Sequence, residues 1–375
     1  MTAALLPGLA LFFTYGVSLR TWADRGLIDR EVEIYRLLRP HVGRLAFVTY
    51  GGVEDLSYAD GLDGIEVLPN RWGLPRFWMS LGAPLLYRRE LRAAAVFKTN
   101  QLSGSWTAVL AKVLFRKKLV VRAGYLWSLN RAREKPRSLG NAIVRVLERV
   151  AVRAADRVIL TGEPLKEYVV SRYGVSPGRV RVIPNHVNTD LFAPDGAQPD
   201  RGLVCFVGRL SREKNLPALI EALGGVPDAR LRLIGSGAER DRLADQARAR
   251  GVQVEFTGTV PNSRLPGLLN RAELFVLPSF YEANPKSLLE AMACGRAVLG
   301  TAVDGIRDLI RHGETGLLCG TDPESLRGAI RTVLADPPLR RRLGENARRV
   351  VLESNSTQAV LRAELAVLAE VSTAP

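Results

Sequence analysis

Glu282 and Glu290 stand eight residues apart across a loop-to-helix junction, and Arg209 and Lys214 stand five apart just past an apolar run. Leu274–Leu277 reads as a buried parallel strand, Pro278–Asn284 as a loop, and Pro285-Lys286-Ser287 as the start of a helix bearing Leu288, Leu289, Ala291 and Met292. Asn284 suits the N-cap and Pro285 the first helical position. A strand, a loop and a helix N-terminus then meet where unpaired N–H groups and the helix dipole favour an anion. A carboxylate beside such a point can accept two hydrogen bonds from a diol. Arginine offers a bidentate fork and lysine a point charge, and both here follow a buried strand, where ligands of α/β proteins bind.

The two glutamates resemble the E-x7-E motif of the retaining glycosyltransferases of family 4, the "glycosyl transferases group 1" family. Val207-Gly208-Arg209-Leu210-Ser211-Arg212-Glu213-Lys214-Asn215 resembles that family's strand–GR–x4–K–N segment. Ile234-Gly235-Ser236-Gly237, Phe256-Thr257-Gly258 and His312-Gly313-Glu314-Thr315-Gly316-Leu317-Leu318 follow in the family's order. The resemblance is strong over residues 180–320 and weaker before them. It implies that Glu290 holds the ribose of a nucleotide. Glu282 would meet donor-sugar hydroxyls and the positive charge developing at the anomeric carbon. Arg209 and Lys214 would take the charge of the departing diphosphate. Asn284, Pro285, Lys286 and Ser287 would reach sugar and phosphate, chiefly through backbone N–H groups. Gly208 belongs to the first segment. Gly235 and Gly237 form a tight turn that leaves room for the nucleotide, although Arg240 stands where a dinucleotide fingerprint has its third glycine. Thr259 and Val260 would bound the base, while Gly305 and Glu314–Leu317 read as structural. Gly16, in the loop after the first strand, is the residue there that fits a donor-phosphate contact.

The implied reaction moves a sugar from a nucleotide-sugar donor to an acceptor, a glycan, lipid-linked glycan or small molecule, with retention of anomeric configuration. The course is front-face displacement, with a donor phosphate oxygen taking the acceptor proton and domain closure excluding water. The nucleotide sugar is a co-substrate and no cofactor is expected. No Asp-x-Asp pair occurs, so metal independence is expected. Many family members carry a histidine after a central strand of the first domain. Here Leu119–Val121 leads instead into Arg122-Ala123-Gly124-Tyr125, leaving Arg122 and Tyr125 as acceptor-side candidates by position. His186 stands where the family has glycine and reads as a hinge substitution. A nucleotide-sugar epimerase or hydrolase on the same fold, and a non-catalytic nucleic-acid-binding protein, are the alternatives.

These residues need elements to hold them. Apolar runs alternate with helical segments throughout, which predicts α/β architecture: two doubly wound Rossmann-like domains facing across a cleft, the GT-B type of the resembled family. Strands are expected at Leu9–Thr14, Leu45–Thr49, Ile65–Leu68, Ala94–Phe97, Leu119–Val121, Arg157–Leu160 and Val180–Ile183. In the second half they are expected at Leu203–Val207, Leu231–Ile234, Val254–Phe256, Leu274–Leu277, Ala297–Leu299 and Gly316–Leu318. The expected organisation is an acceptor-side domain over 1–183, a linker over 184–201 and a nucleotide-sugar domain over 202–352. A last helix over 353–375 would be able to pack back on the first domain.

The chain has 375 residues, 47% hydrophobic and 24% charged, as for a globular protein of two domains. Three separated cysteines and no metal-ligand spacing point to a reducing cytoplasm. The opening apolar stretch holds Pro7 and Gly8 and no basic residue before Arg20, unlike a secretory signal. Of the net charge of +15, +12 falls before residue 199. Phe77, Trp78, Met79, Leu81, Leu85, Leu86 and Tyr87 mix with Arg76, Arg88, Arg89 and Arg92, and Arg116-Lys117-Lys118 follows. Such a mixture suits peripheral contact with the anionic inner face of a membrane, or else a core helix with a basic edge.

Overall fold

The computed structural model describes residues 6, 8–134, 138 and 140–373. The chain divides into two compact units, the first comprising residues up to Pro184 and those from Leu361 on, the second Asn185–Val360.

The first unit is built on seven parallel strands: β1 (Leu9–Phe12), β2 (Leu45–Val48), β3 (Glu66–Leu68), β4 (Val96–Thr99), β5 (Lys118–Ala123), β6 (Arg157–Leu160) and β7 (Val180–Val182). Their order is β3-β2-β1-β4-β5-β6-β7. Most are continuous apolar runs because helices cover both faces of the sheet. The chain steps one way from β1 to β3 and the other way from β3 through β6. Right-handed crossovers therefore put helices Arg76–Leu86, Ser105–Phe115 and Gly140–Ala154 on one face, opposite Ile28–Leu38.

The strand expected at Ala94–Phe97 lies two residues later and includes Lys98, which is 1% exposed. Lys98 is tolerated because its Nζ donates to Glu364 Oε2 at 2.6 Å, from the last helix, Thr357–Thr373. Arg122 Nε lies 3.4 Å from the other oxygen of Glu364. Burial pushes the Lys98 ammonium below its ordinary range, and the Glu364 charge opposes that push. The same helix carries Glu370, paired with Arg157 at 3.1 Å and Arg181 at 3.0 Å. Arg122, an acceptor-side candidate by position, is 8% exposed and belongs to this ionic cluster.

The second unit holds β8 (Leu203–Val207), β9 (Arg230–Ile234), β10 (Gln253–Gly258), β11 (Leu274–Leu277), β12 (Ala297–Thr301) and β13 (Leu317–Cys319). All are parallel, in the order β10-β9-β8-β11-β12-β13. The strand order reverses between β8 and β11, and in doubly wound sheets ligands bind in the crevice beyond the strand ends at that point. Phe206, Leu233, Phe275, Leu288 and Leu299, each fully buried, anchor the core beneath it. Within this unit the segment after Pro184 is tied at Val187, which donates to Asn355 and accepts from Thr357. No helix of the described residues is long and apolar enough to cross a membrane.

Candidate active site

Two loops leave the sheet side by side at the reversal. After β8, Gly208 to Ser211 leads into a single turn, Arg212–Lys214, closed by Asn215 in the left-handed region at φ 52°. After β11, Pro278 to Pro285 leads into helix Lys286–Ala293. The Phe280 N–H donates to the Glu213 carbonyl at 2.9 Å, which stitches the loops together.

That stitch brings Lys214 and Glu282, 68 positions apart, into contact. Lys214 Nζ donates to Glu282 Oε1 at 2.5 Å, and the side chains are 16% and 11% exposed. Ser279, fully buried, donates its hydroxyl to the same oxygen at 2.7 Å, while its carbonyl accepts from the Thr301 hydroxyl. An ammonium carries three N–H donors. Only the one on Glu282 has a protein acceptor among the described residues.

Arg209 is placed differently. Its side chain is 80% exposed and reaches Glu213 Oε1 at 3.4 Å. Burial alone would raise the Glu213 carboxyl. Hydrogen bonds from Ser211 and the backbone, with Arg209 and Lys214 nearby, hold it below its ordinary value.

Glu290 lies in the second turn of its helix, only 2% exposed, and Oε1 accepts from Asn262 Nδ2 at 3.3 Å. Asn262 follows the loop after β10, so Glu290 is buried against the segment beyond that strand rather than standing in solvent. Thr259, in that same loop, shares a hydrogen bond of 3.0 Å with Ser236 of the β9 turn; Val260 beside it is half-buried. Gly235 sits at φ +133°, and a side chain there or at Gly237 would collide with the backbone of Gly208 or Leu210. These glycines let the β9 turn lie directly against the β8 loop. A Cβ on Gly305 would strike the carbonyls of Glu282 and Ala283, so Gly305 also shapes the loop that presents Glu282.

The expected N-cap requires correction. The helix begins at Lys286, and Pro285, extended at ψ 113°, precedes it without a side-chain cap. The Asn284 side chain instead accepts from the Asn185 N–H at 3.0 Å, and its carbonyl accepts from the Asn185 amide at 2.8 Å. Asn284 anchors the loop that bears Glu282 to the start of the second unit. Lys286 and Ser287 are half-buried in the first helical turn, whose leading N–H groups have no intrahelical acceptor.

In the first unit, Gly16 is at φ +73° with the Arg76 side chain packed over it. The N-terminus of the following helix, Leu19–Asp24, already holds a carboxylate. Asp55, fully buried, accepts from Leu19 N at 3.2 Å, Arg20 N at 3.1 Å and the Thr49 hydroxyl at 2.6 Å. That helix end therefore has its anion supplied from within the fold. Tyr125 is half-buried beyond β5, and His186 is 7% exposed.

Residues 33–191 match the model of Glycosyltransferase Family 4, and residues 187–350 match that of Glycosyl transferases group 1. The chain belongs to glycosyltransferase family 4. The glycosyltransferase is 28% identical over 321 residues to alpha-maltose-1-phosphate synthase of Mycolicibacterium smegmatis, covering 78% of this chain and 83% of that one. Its fold is of the GT-B type. Sucrose-phosphate synthase from Thermosynechococcus elongatus superposes with TM-score 0.81 at 24% identity, over 97% and 99% of the two chains. Anabaena HepE in complex with UDP and glucose gives 0.77 at 20% identity, over 97% and 100%.

Ser279, Thr301, Asn262 and Asn185 position the site and escaped the sequence reading. Ser279 alone carried a signal, being the polar residue that ends the β11 run within two residues.

Proposed function

We propose that the enzyme transfers a sugar from a nucleoside-diphosphate sugar to an acceptor hydroxyl with retention of anomeric configuration. The second unit holds the donor. The first unit takes the acceptor, a glycan, a lipid-linked glycan or a small molecule. The observation that carries this reading is the Lys214–Glu282 pair at the sheet reversal, with two ammonium N–H donors left for phosphate oxygens. The HepE complex with UDP and glucose supports a nucleotide-sugar donor.

In this reading the acceptor oxygen bonds to the anomeric carbon as the bond to the diphosphate oxygen breaks. The acceptor proton passes to a donor phosphate oxygen on the same face. Lys214, Arg209 and the N-terminal turn at Lys286–Ser287 stabilise the departing charge. Glu282, held by Ser279 and Lys214, stands beside the sugar, where a fixed negative charge favours an oxocarbenium-like carbon. Glu290 receives the ribose diol, and the turns at Gly208, Gly235, Gly237, Thr259 and Val260 bound the nucleotide. Leaving-group charge is met by side-chain cations, which supports metal-independent turnover.

Screening UDP-, GDP- and ADP-sugars for protection against heat unfolding tests donor binding, since a ligand selective for the native state stabilises it. One nucleotide series should raise the melting temperature, and transfer with that donor should persist in a chelator. Protection by none of them refutes the reading. Conversion of the nucleotide sugar with no acceptor present would favour an epimerase.

A further inference from the structure

Helix Arg76–Leu86 is apolar on both sides. Met79 and Ala83 are 1% exposed and pack into the first unit. Phe77, Trp78, Leu81 and Leu85 are 54%, 60%, 37% and 64% exposed. At 3.6 residues per turn these four fall within one sector of about 100°, opposite the buried side. Of the seven apolar residues expected to mix with arginine here, Met79 and Tyr87 are core, Leu86 is half-buried against them, and the four outward ones form the exposed stripe. The stripe has a neighbour. Helix Ser105–Phe115 packs alongside and leaves Val113 and Leu114 70% and 46% exposed. Soluble surfaces rarely gather large apolar side chains on adjoining helices without something to cover them.

The charge that follows each of these helices says what covers them. Between Glu66 and Glu134 the chain carries thirteen lysines and arginines and one acid, Glu90, and of the thirteen Lys98 and Arg122 are paired with Glu364 and Lys112 with Asp156. Arg88, Arg89 and Arg92 follow the stripe directly, exposed on the short helix Arg88–Ala93, and the Arg92 guanidinium lies 5.8 Å from the Phe115 ring centre, tying that short helix to Ser105–Phe115. Arg116 and Lys117 follow directly after Ser105–Phe115. An amphipathic helix with outward Phe, Trp and Leu beside clustered arginine matches a surface that is apolar beneath and anionic on top.

We propose that this face of the first unit docks on an anionic phospholipid bilayer, with Phe77, Trp78, Leu81 and Leu85 entering the headgroup–acyl boundary and Arg88, Arg89, Arg92 and Arg116 meeting lipid phosphates. The inference stands apart from the donor site, because it rests on a different unit and a different observation.

Co-sedimentation of the full chain with vesicles tests it. Binding is expected to phosphatidylcholine vesicles containing phosphatidylglycerol, with little to phosphatidylcholine alone, and to weaken as salt rises. Leu81→Glu with Leu85→Glu should cut the bound fraction by about tenfold or more. Both positions face solvent, so the melting temperature and nucleotide-sugar binding should hold. Arg89→Glu with Arg92→Glu, a second variant, should reduce binding to the anionic vesicles only. Absence of binding to anionic vesicles overturns the proposal, as does unaltered binding by both variants. So does a wild-type dimer that the leucine variant converts to monomer, which would make the face a contact between copies. Binding to RNA that matches or exceeds binding to the anionic vesicles would equally overturn it.

Discussion

Glu364→Gln removes the carboxylate that pairs with both Lys98 and Arg122. Lys98 is 1% exposed and donates to Glu364 at 2.6 Å, so it cannot turn to water without opening the sheet. Breaking a buried ion pair from one side costs about 3–5 kcal/mol. For a domain of this size that is a fall in melting temperature of roughly 6–20 °C. The assay is selective, because all five tryptophans, Trp22, Trp72, Trp78, Trp106 and Trp127, lie in the first unit. Selectively excited tryptophan fluorescence therefore follows that unit alone. The pH dependence has a definite sign. Without Glu364 the folded-state pKa of Lys98 falls further below its ordinary 10.5. The unfolded chain then binds more protons over that window, so the variant's stability rises with pH toward the ordinary value and its deficit shrinks. Adding Lys98→Met should recover part of the loss, since an apolar side chain needs no partner. A shift under about 1 kcal/mol, or a double variant no more stable than the single, would refute the view that this cluster is a buried, mutually dependent set.

Gly305→Ala should force the loop bearing Glu282 aside, costing about 1–3 kcal/mol of stability and lowering transfer more than melting predicts. Wild-type turnover in that variant would show that the contact does not position Glu282. The thiols of Cys205, Cys294 and Cys319 are each pushed up to about 12, chiefly by burial. At about pH 8 iodoacetamide should leave all three unlabelled in the native enzyme and modify them on unfolding; mass spectrometry reads both states.

The sequence exposed whatever was local. Leu203–Val207, Leu274–Leu277 and Arg157–Leu160 are strands at the bounds their apolar runs suggest, because a buried parallel strand needs little besides such a run. The glutamate spacing and the Gly208–Asn215 segment marked two loops that meet at the strand reversal, because each is a local feature of the chain. Features set by distant partners were hidden. Lys98 looked like the end of a strand, because the carboxylate that permits its burial is 266 positions away. Asn284 looked like a cap, because Asn185 is 99 positions away. The pairing of Arg122 with Glu364 was hidden in the same way. The helix Arg76–Leu86 was apolar in sequence, yet only the fold divides Met79 from Trp78.

Lys214 is the sharpest test of the donor site. Titration calorimetry should compare wild type and Lys214→Ala for the preferred nucleoside diphosphate and for the bare nucleoside. Losing a charge-assisted hydrogen bond to phosphate should weaken the diphosphate by about 10- to 100-fold and leave the nucleoside unchanged. Equal diphosphate affinity in the two proteins would contradict a phosphate-binding Lys214 at the β8–β11 reversal.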